Sequence, residues 1–160
     1  MKKLFAFIAA SLLVVSAFAQ DGRSIYNKYS DEKGVSAVFI SPAMFRLIGK
    51  IPEIDVAGTD ADLTPVIKSL TGLYLIDSKN ESINRQLKND AEHFVRKGAY
   101  ELLMEIKEEG ETVNIFTMGK DDDITGFVLI SSEPGECTFI YLDGRMSRKE
   151  LEDIIGKIDV

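Results

Sequence analysis

Between residues 81 and 97 apolar side chains recur at helical spacing, and after Gly98 they recur at every second position. That change of period divides the chain. Ile83, Leu87, Ala91, Phe94 and Val95 form one stripe of the longest expected helix. Beyond it, Tyr100, Leu102, Met104 and Ile106 alternate with Glu101, Glu105 and Lys107, with Leu103 as the exception, and predict a half-buried strand. Three more strands are expected over 112–118, 124–131 and 136–142. Their connectors, "EEGE", "GKDDD" and "EPGE", are too short for crossovers, so neighbouring strands must run antiparallel. Pro134-Gly135 suits the middle of a type II turn.

The first half is patterned more coarsely. A short amphipathic helix over 22–29 uses Ile25, Tyr26 and Tyr29, and "VSAVFI" at 35–40 reads as a strand. Ser41-Pro42 and Thr64-Pro65 each have the form of a helix start, a hydroxyl cap followed by a residue that needs no amide hydrogen. The first of these helices, "PAMFRLI", is expected to stop at Gly49, and a strand follows at 73–77. At the far end Ser147 and Glu150 make a capping box ahead of Leu151, Ile154, Ile155 and Ile158. The expected fold is α+β: a mainly antiparallel sheet with a C-terminal four-stranded meander, and helices packed on the sheet.

Residues 1–19 change the picture of where the chain works. Lys2 and Lys3, an apolar run and Ala17-Phe18-Ala19 make a secretory signal peptide, the run being shorter than the ~20 residues of a membrane-spanning helix. Cleavage there leaves 20–160 as a single α+β domain, with no transmembrane segment after signal removal and a periplasmic or secreted location. Without the two lysines, 17 basic residues face 26 acidic ones, a net charge of −9. Such a surface repels phosphate backbones, so no nucleic acid is expected as a partner, and simple docking on anionic lipid is disfavoured.

Chemistry is sparse. Cys137 is the single cysteine; it falls on the strand face of Phe139 and Tyr141 and reads as a small buried apolar residue. His93, the single histidine, sits away from the apolar stripe of its helix and reads as solvent-facing. No zinc set, nucleophile elbow, phosphate loop or dinucleotide motif is present, so no cofactor and no catalytic residue are assigned. The triplet Asp121-Asp122-Asp123 poses a sharper question. Asp121, Asp123, Thr125 and Gly126 match the opening of a calcium-hand loop, but the twelfth position is Ser132 and the following residues form a strand. The triplet is therefore expected to be a solvated hairpin tip, with a surface cation site at Asp121 and Asp123 as the weak alternative.

Both faces of the meander's centre are apolar. Phe116, Met118, Phe127, Leu129, Phe139 and Tyr141 are large apolar residues on one set of alternations, and Ile115, Val128 and Ile140 occupy the other. Helices can cover one face. The second is covered by the N-terminal elements, covered by a partner, or left as a patch. Phe116, Phe139 and Tyr141 are the candidate binding residues on this reasoning.

"YELLMEIKEEGETVNIFTMGKDDDITGFVLISSEPGECTFIYLDGRMSRKELEDI", with "VSAVFISPAMFRLI" and "LKNDAEHF" upstream, resembles domain-of-unknown-function family 4252. The resemblance implies a small exported envelope domain with no assigned activity and no active site to carry over. Family lipoproteins carry a cysteine at the signal junction, where this chain has Ala19-Gln20. The expected function is a non-catalytic binding or interaction domain of the bacterial cell envelope with an envelope protein as partner. A hydrolase using loop carboxylates such as Asp121, Asp123 or Asp143 is the alternative, and an envelope regulatory or sensing component is a third reading.

Overall fold

The structure, a computed structural model, describes residues 21–48 and 68–149. In chain order these residues form helix α1 (Gly22–Tyr29), strand β1 (Val35–Ile40), helix α2 (Pro42–Ile48), strand β2 (Leu70–Ser78) and helix α3 (Glu81–Lys97). Strands β3 (Glu101–Glu108), β4 (Glu111–Lys120), β5 (Asp123–Glu133) and β6 (Glu136–Ser147) follow. The expected C-terminal helix, the stop at Gly49 and the Thr64-Pro65 start lie outside the described residues, as does the signal segment.

The strands form one antiparallel sheet in the order β1-β2-β6-β5-β4-β3. The meander β3 to β6 is present as the alternation implied. β6, last in sequence, is central, because it also pairs with β2. It runs on to Ser147, five residues past the end the sequence pattern gave it. The hairpin turns follow local chemistry. Glu109 and Gly110 both take positive φ (42° and 92°), which suits a tight two-residue hairpin with the twist of its strands. Gly135, after Pro134, has φ of 89°, as the third residue of a type II turn requires.

Caps set the helix starts. Asp21 accepts from the Arg23 amide at 3.3 Å, Ser41 Oγ from Met44 at 3.3 Å, and Asn80 Oδ1 from Ser82 at 3.1 Å. At the end of α3, Gly98 keeps a negative φ and Ala99 takes the left-handed conformation instead (φ 54°). Gly98 is needed for space: a side-chain carbon there would press on the Tyr100 ring.

The core lies between α1, α3 and one face of the sheet. Ile25 and Tyr29 of α1 and Leu87, Ala91, Phe94 and Val95 of α3 pack on Tyr74, Ile76, Val128, Ile130, Cys137, Phe139 and Tyr141. The helical stripe read from the sequence is thus the buried stripe of α3. Cys137 is 1% exposed, and burial pushes its thiol up to about 11, so it is an inert core residue.

β3 departs from expectation in two ways. It is an edge strand, and all eight of its residues are exposed, not half-buried. Its register also shifts between Leu102 and Met104. Leu102 pairs with Phe116, on the helix side of the sheet, whereas Met104 pairs with Ile115 and Ile106 with Val113, on the opposite side. Leu103, the residue that broke the sequence alternation, is the extra residue of this bulge. One inserted residue transfers everything after it to the other face.

Candidate functional site

Cross-strand register assigns each side chain to a face. One row across the sheet is Phe39, Tyr74, Tyr141, Val128, Phe116 and Leu102; the next is Ala37, Ile76, Phe139, Ile130, Asn114 and Glu105. Both rows lie on the side of α1 and α3. The three residues singled out from sequence for binding therefore belong to the covered side: Phe139 is 0% and Tyr141 5% exposed, and Phe116 packs against the same core. A partner could reach Phe139 only by displacing α3, whose Phe94 ring stands edge-on to it at 6.2 Å.

Tyr141 anchors the closed end of that core. Its ring stacks on Tyr74 (5.9 Å), and Tyr74 stacks on Phe39 (4.9 Å). The start of α1 comes so close that any side chain at Gly22 would overlap the Tyr141 ring. The Tyr141 hydroxyl donates to Asp143 Oδ1 at 3.4 Å, with the Tyr100 phenol beside it. Arg23 reaches Asp143 at 3.4 Å and Asp21 at 2.6 Å while lying over the Tyr74 ring. Burial is the main reason that the Tyr141 phenol is raised well above its ordinary value and that Tyr100 is pushed up to about 12. Phenols held protonated in this way are neither bases nor nucleophiles at neutral pH, and the network ties α1 to the sheet.

Two hollows carry polar groups. The first, about 240 Å³, lies between α1 and α3 and is lined by Ser24, Ile25, Lys28, Asp90, His93 and Phe94. Asp90 Oδ2 receives both the Lys28 ammonium and the Tyr29 hydroxyl at 2.6 Å. Burial alone would raise the Asp90 carboxyl, but these two donors hold it below its usual value. Its charge is already matched, and the group reads as a helix-to-helix tie. His93 is exposed, as its helical position implied.

The second hollow, about 460 Å³ and open, is lined by Met118, Gly119, Lys120, Asp121, Asp123, Thr125 and Arg145. Asp121 and Asp122 form the connection between β4 and β5, and Lys120 pairs with Asp123. The Asp122 carbonyl accepts from the Arg148 amide at 2.7 Å, and Asp123 lies 3.7 Å from Arg145. The triplet is the hairpin tip. Among the described residues no group of three or more His, Cys, Asp or Glu side chains converges on a common point. Asp143, the third acid considered for hydrolysis, is held by Arg23 and does not line this hollow.

The opposite side of the sheet is different. Val38, Leu75, Ile140, Leu129, Ile115 and Met104 form an unbroken aliphatic row across all six strands. Ile40, Leu73, Leu142 and Phe127 flank it on one side. On the other the row turns polar, with Ser36, Asp77, Thr138 and Ser131, then ends on Val113 and Ile106. Thr138 donates to Asp77 at 2.9 Å within this polar part. Neither α1 nor α3 lies on this side. Its central members are half-buried, and its rim is exposed: Val38 45%, Met104 50%, Ile106 47%.

A family profile spanning residues 29–154 matches this chain, and that span contains all six strands and α3. The chain belongs to the DUF4252 family, a domain of unknown function. No curated protein and no solved structure matches it. The DUF4252 match covers both faces of the sheet, so family membership does not by itself favour either one. Among the described residues, no helix of this DUF4252 domain is long and apolar enough to cross a membrane.

The aliphatic side was legible in part. The alternation of Ile115, Val128 and Ile140 showed that both faces were apolar, but bulges set the true partners: Val128 faces the helices while Ile115 and Ile140 face away. The exposed apolar side chains of β3 were missed as surface, and Leu103 was the signal that could have found them.

Proposed function

We propose that this DUF4252 domain is a non-catalytic interaction module of the bacterial cell envelope, and that it binds a protein partner through the aliphatic side of its sheet. The observation that carries the reading is the reversed polarity of β3. In an antiparallel sheet with one covered face, apolar side chains normally face the core and polar ones the solvent. Here Glu105 and Lys107 lie on the helix side, beyond the reach of the core, and Met104 and Ile106 extend the aliphatic row. Six strands thus present a continuous apolar strip with a polar border, the arrangement of a protein-binding surface. The signal-like N-terminus supports the envelope location, and the acidic surface argues against nucleic acid.

Photo-crosslinking tests this. A photoreactive side chain at Leu129 or Ile140 gives discrete adducts with one envelope protein in intact cells, and the same group at Arg85, on the exposed side of α3, gives none. Equal labelling from Arg85 would overturn the reading. So would adducts confined to residues 150–160 of the same chain, which would assign the strip to the protein's own C-terminus.

A further inference from the structure

The free edge of β3 is self-complementary. We propose that it takes a second copy of this chain, the two β3 strands pairing antiparallel about Ile106. This rests on the reading above that the aliphatic side and its margin form an interaction surface.

Three observations select that partner. All eight residues of β3 are exposed and the strand contains no proline, so its outward amides and carbonyls are open to another strand. Next, Glu105 and Lys107 share a face, their charged ends 2.8 Å apart, on either side of Ile106. Antiparallel pairing about Ile106 sets Glu105 of each copy opposite Lys107 of the other, giving two cross-strand ion pairs from one symmetric contact. On the other face the two Ile106 side chains meet, 47% exposed in the single chain, and each borders Val113 of its own copy. The third observation is the bulge, which rules out competing registers. An axis on Met104 would draw the shifted Leu102–Met104 segment into the ladder, an axis on Glu105 would oppose two glutamates, and one on Lys107 would oppose two lysines.

The pairing joins two six-stranded sheets into one of twelve strands and makes the two aliphatic strips continuous. The contact is isologous, so it closes at two copies and does not propagate. It is also short, with Met104 facing Glu108 at its margin, so the dimer is expected to be reversible and sensitive to salt.

Sedimentation of the signal-free chain across a concentration series, combined with disulfide trapping, tests the proposal. The wild-type protein shows a monomer–dimer equilibrium that weakens with salt. Ile106→Cys gives a disulfide-linked dimer under mild oxidation at least tenfold faster than Val38→Cys, which is about as exposed (45%) on the opposite edge. Glu105→Lys weakens dimerisation at least tenfold, and Glu105→Lys with Lys107→Glu restores it; circular dichroism confirms that each variant is folded. A monomer at every concentration, or equal trapping at Val38 and Ile106, overturns the pairing. If Leu129 and Ile140 still yield an envelope adduct from such a monomer, the interaction module stands and only self-pairing falls. If those adducts are also absent, both readings fall.

Discussion

On the helix side of the sheet, Tyr74, Ile76, Val128, Ile130, Phe139 and Tyr141 are no more than 7% exposed; their strand neighbours Leu75, Leu129 and Ile140, on the other side, stay half-buried. Hydrophobicity does not separate the two faces. Architecture does. The covered face is built from rings in edge-on and stacked contact, and its hydroxyls are tied off by Asp143 and Asp90. The other face is aliphatic at its centre apart from Phe127, with polar groups at both borders, Thr117 and Glu101 continuing the Phe127 row. A face closed by specific ties serves the fold; the other, aliphatic to the sheet's edge, is the one proposed above to bind a partner.

The strongest way to break this contrast is to truncate adjacent residues of β6. Phe139→Ala should cost about 3–5 kcal/mol because it empties a closed core site. Ile140→Ala, one residue along and on the other face, should cost under about 1.5 kcal/mol, since no enclosed cavity results. Denaturant midpoints at unchanged slope would measure both. Equal losses would mean that the two faces are equally enclosed.

Alkali should probe the covered face alone. Burial, the largest cause in each case, pushes Tyr29 and Tyr100 up to about 12 and also raises Tyr74 and Tyr141. In the unfolded chain tyrosines ionise near about pH 10, so above that pH the unfolded state binds fewer protons than the native one. The stability these groups contribute is therefore complete below about pH 10 and declines as pH rises toward their folded values. Melts followed by circular dichroism should fall over that range, and in a Tyr26→Phe variant, which leaves only these four phenols, phenolate absorbance should appear only as structure is lost. Phenolate forming near about pH 10 in that variant while it is still fully folded would contradict the burial of these hydroxyls.

The smallest expected effect is at the α1–α3 tie. Lys28 and Asp90 are 56% and 38% exposed at the side chain, so Asp90→Asn should cost no more than about 1 kcal/mol. Because the Asp90 carboxyl is held below its usual value, the difference between wild type and variant should be present above about pH 4 and vanish as pH falls below it. A difference that grew in acid would show that the carboxylate is not the stabilised form.

Local pattern carried the strands, the turns and the stripe of α3 because those depend on neighbours in sequence. Pro134-Gly135 and Glu109-Gly110 prescribe their turns, and Leu87, Ala91, Phe94 and Val95 fall on one side of α3 whatever they pack against. The faces of the sheet were not legible, for two physical reasons. Apolar residues at both parities remove the signal that tells inside from outside, and the bulge at Leu103 reverses parity partway along β3. The position of β6 beside β2 was equally hidden. Leu75 and Ile140 pair across a long stretch of sequence, with α3 and three strands intervening.

That placement of β6 governs when the molecule can fold. A chain emerging from its N-terminus, from a ribosome or through a membrane pore, exposes β1, β2 and α3 long before the strand that must fill the gap between β2 and β5. Until residue 147 is free, α3 has no complete floor beneath it, and the aromatic rows have a missing column. Closure waits for the tail, so the polypeptide commits to its final shape only once β6 has emerged.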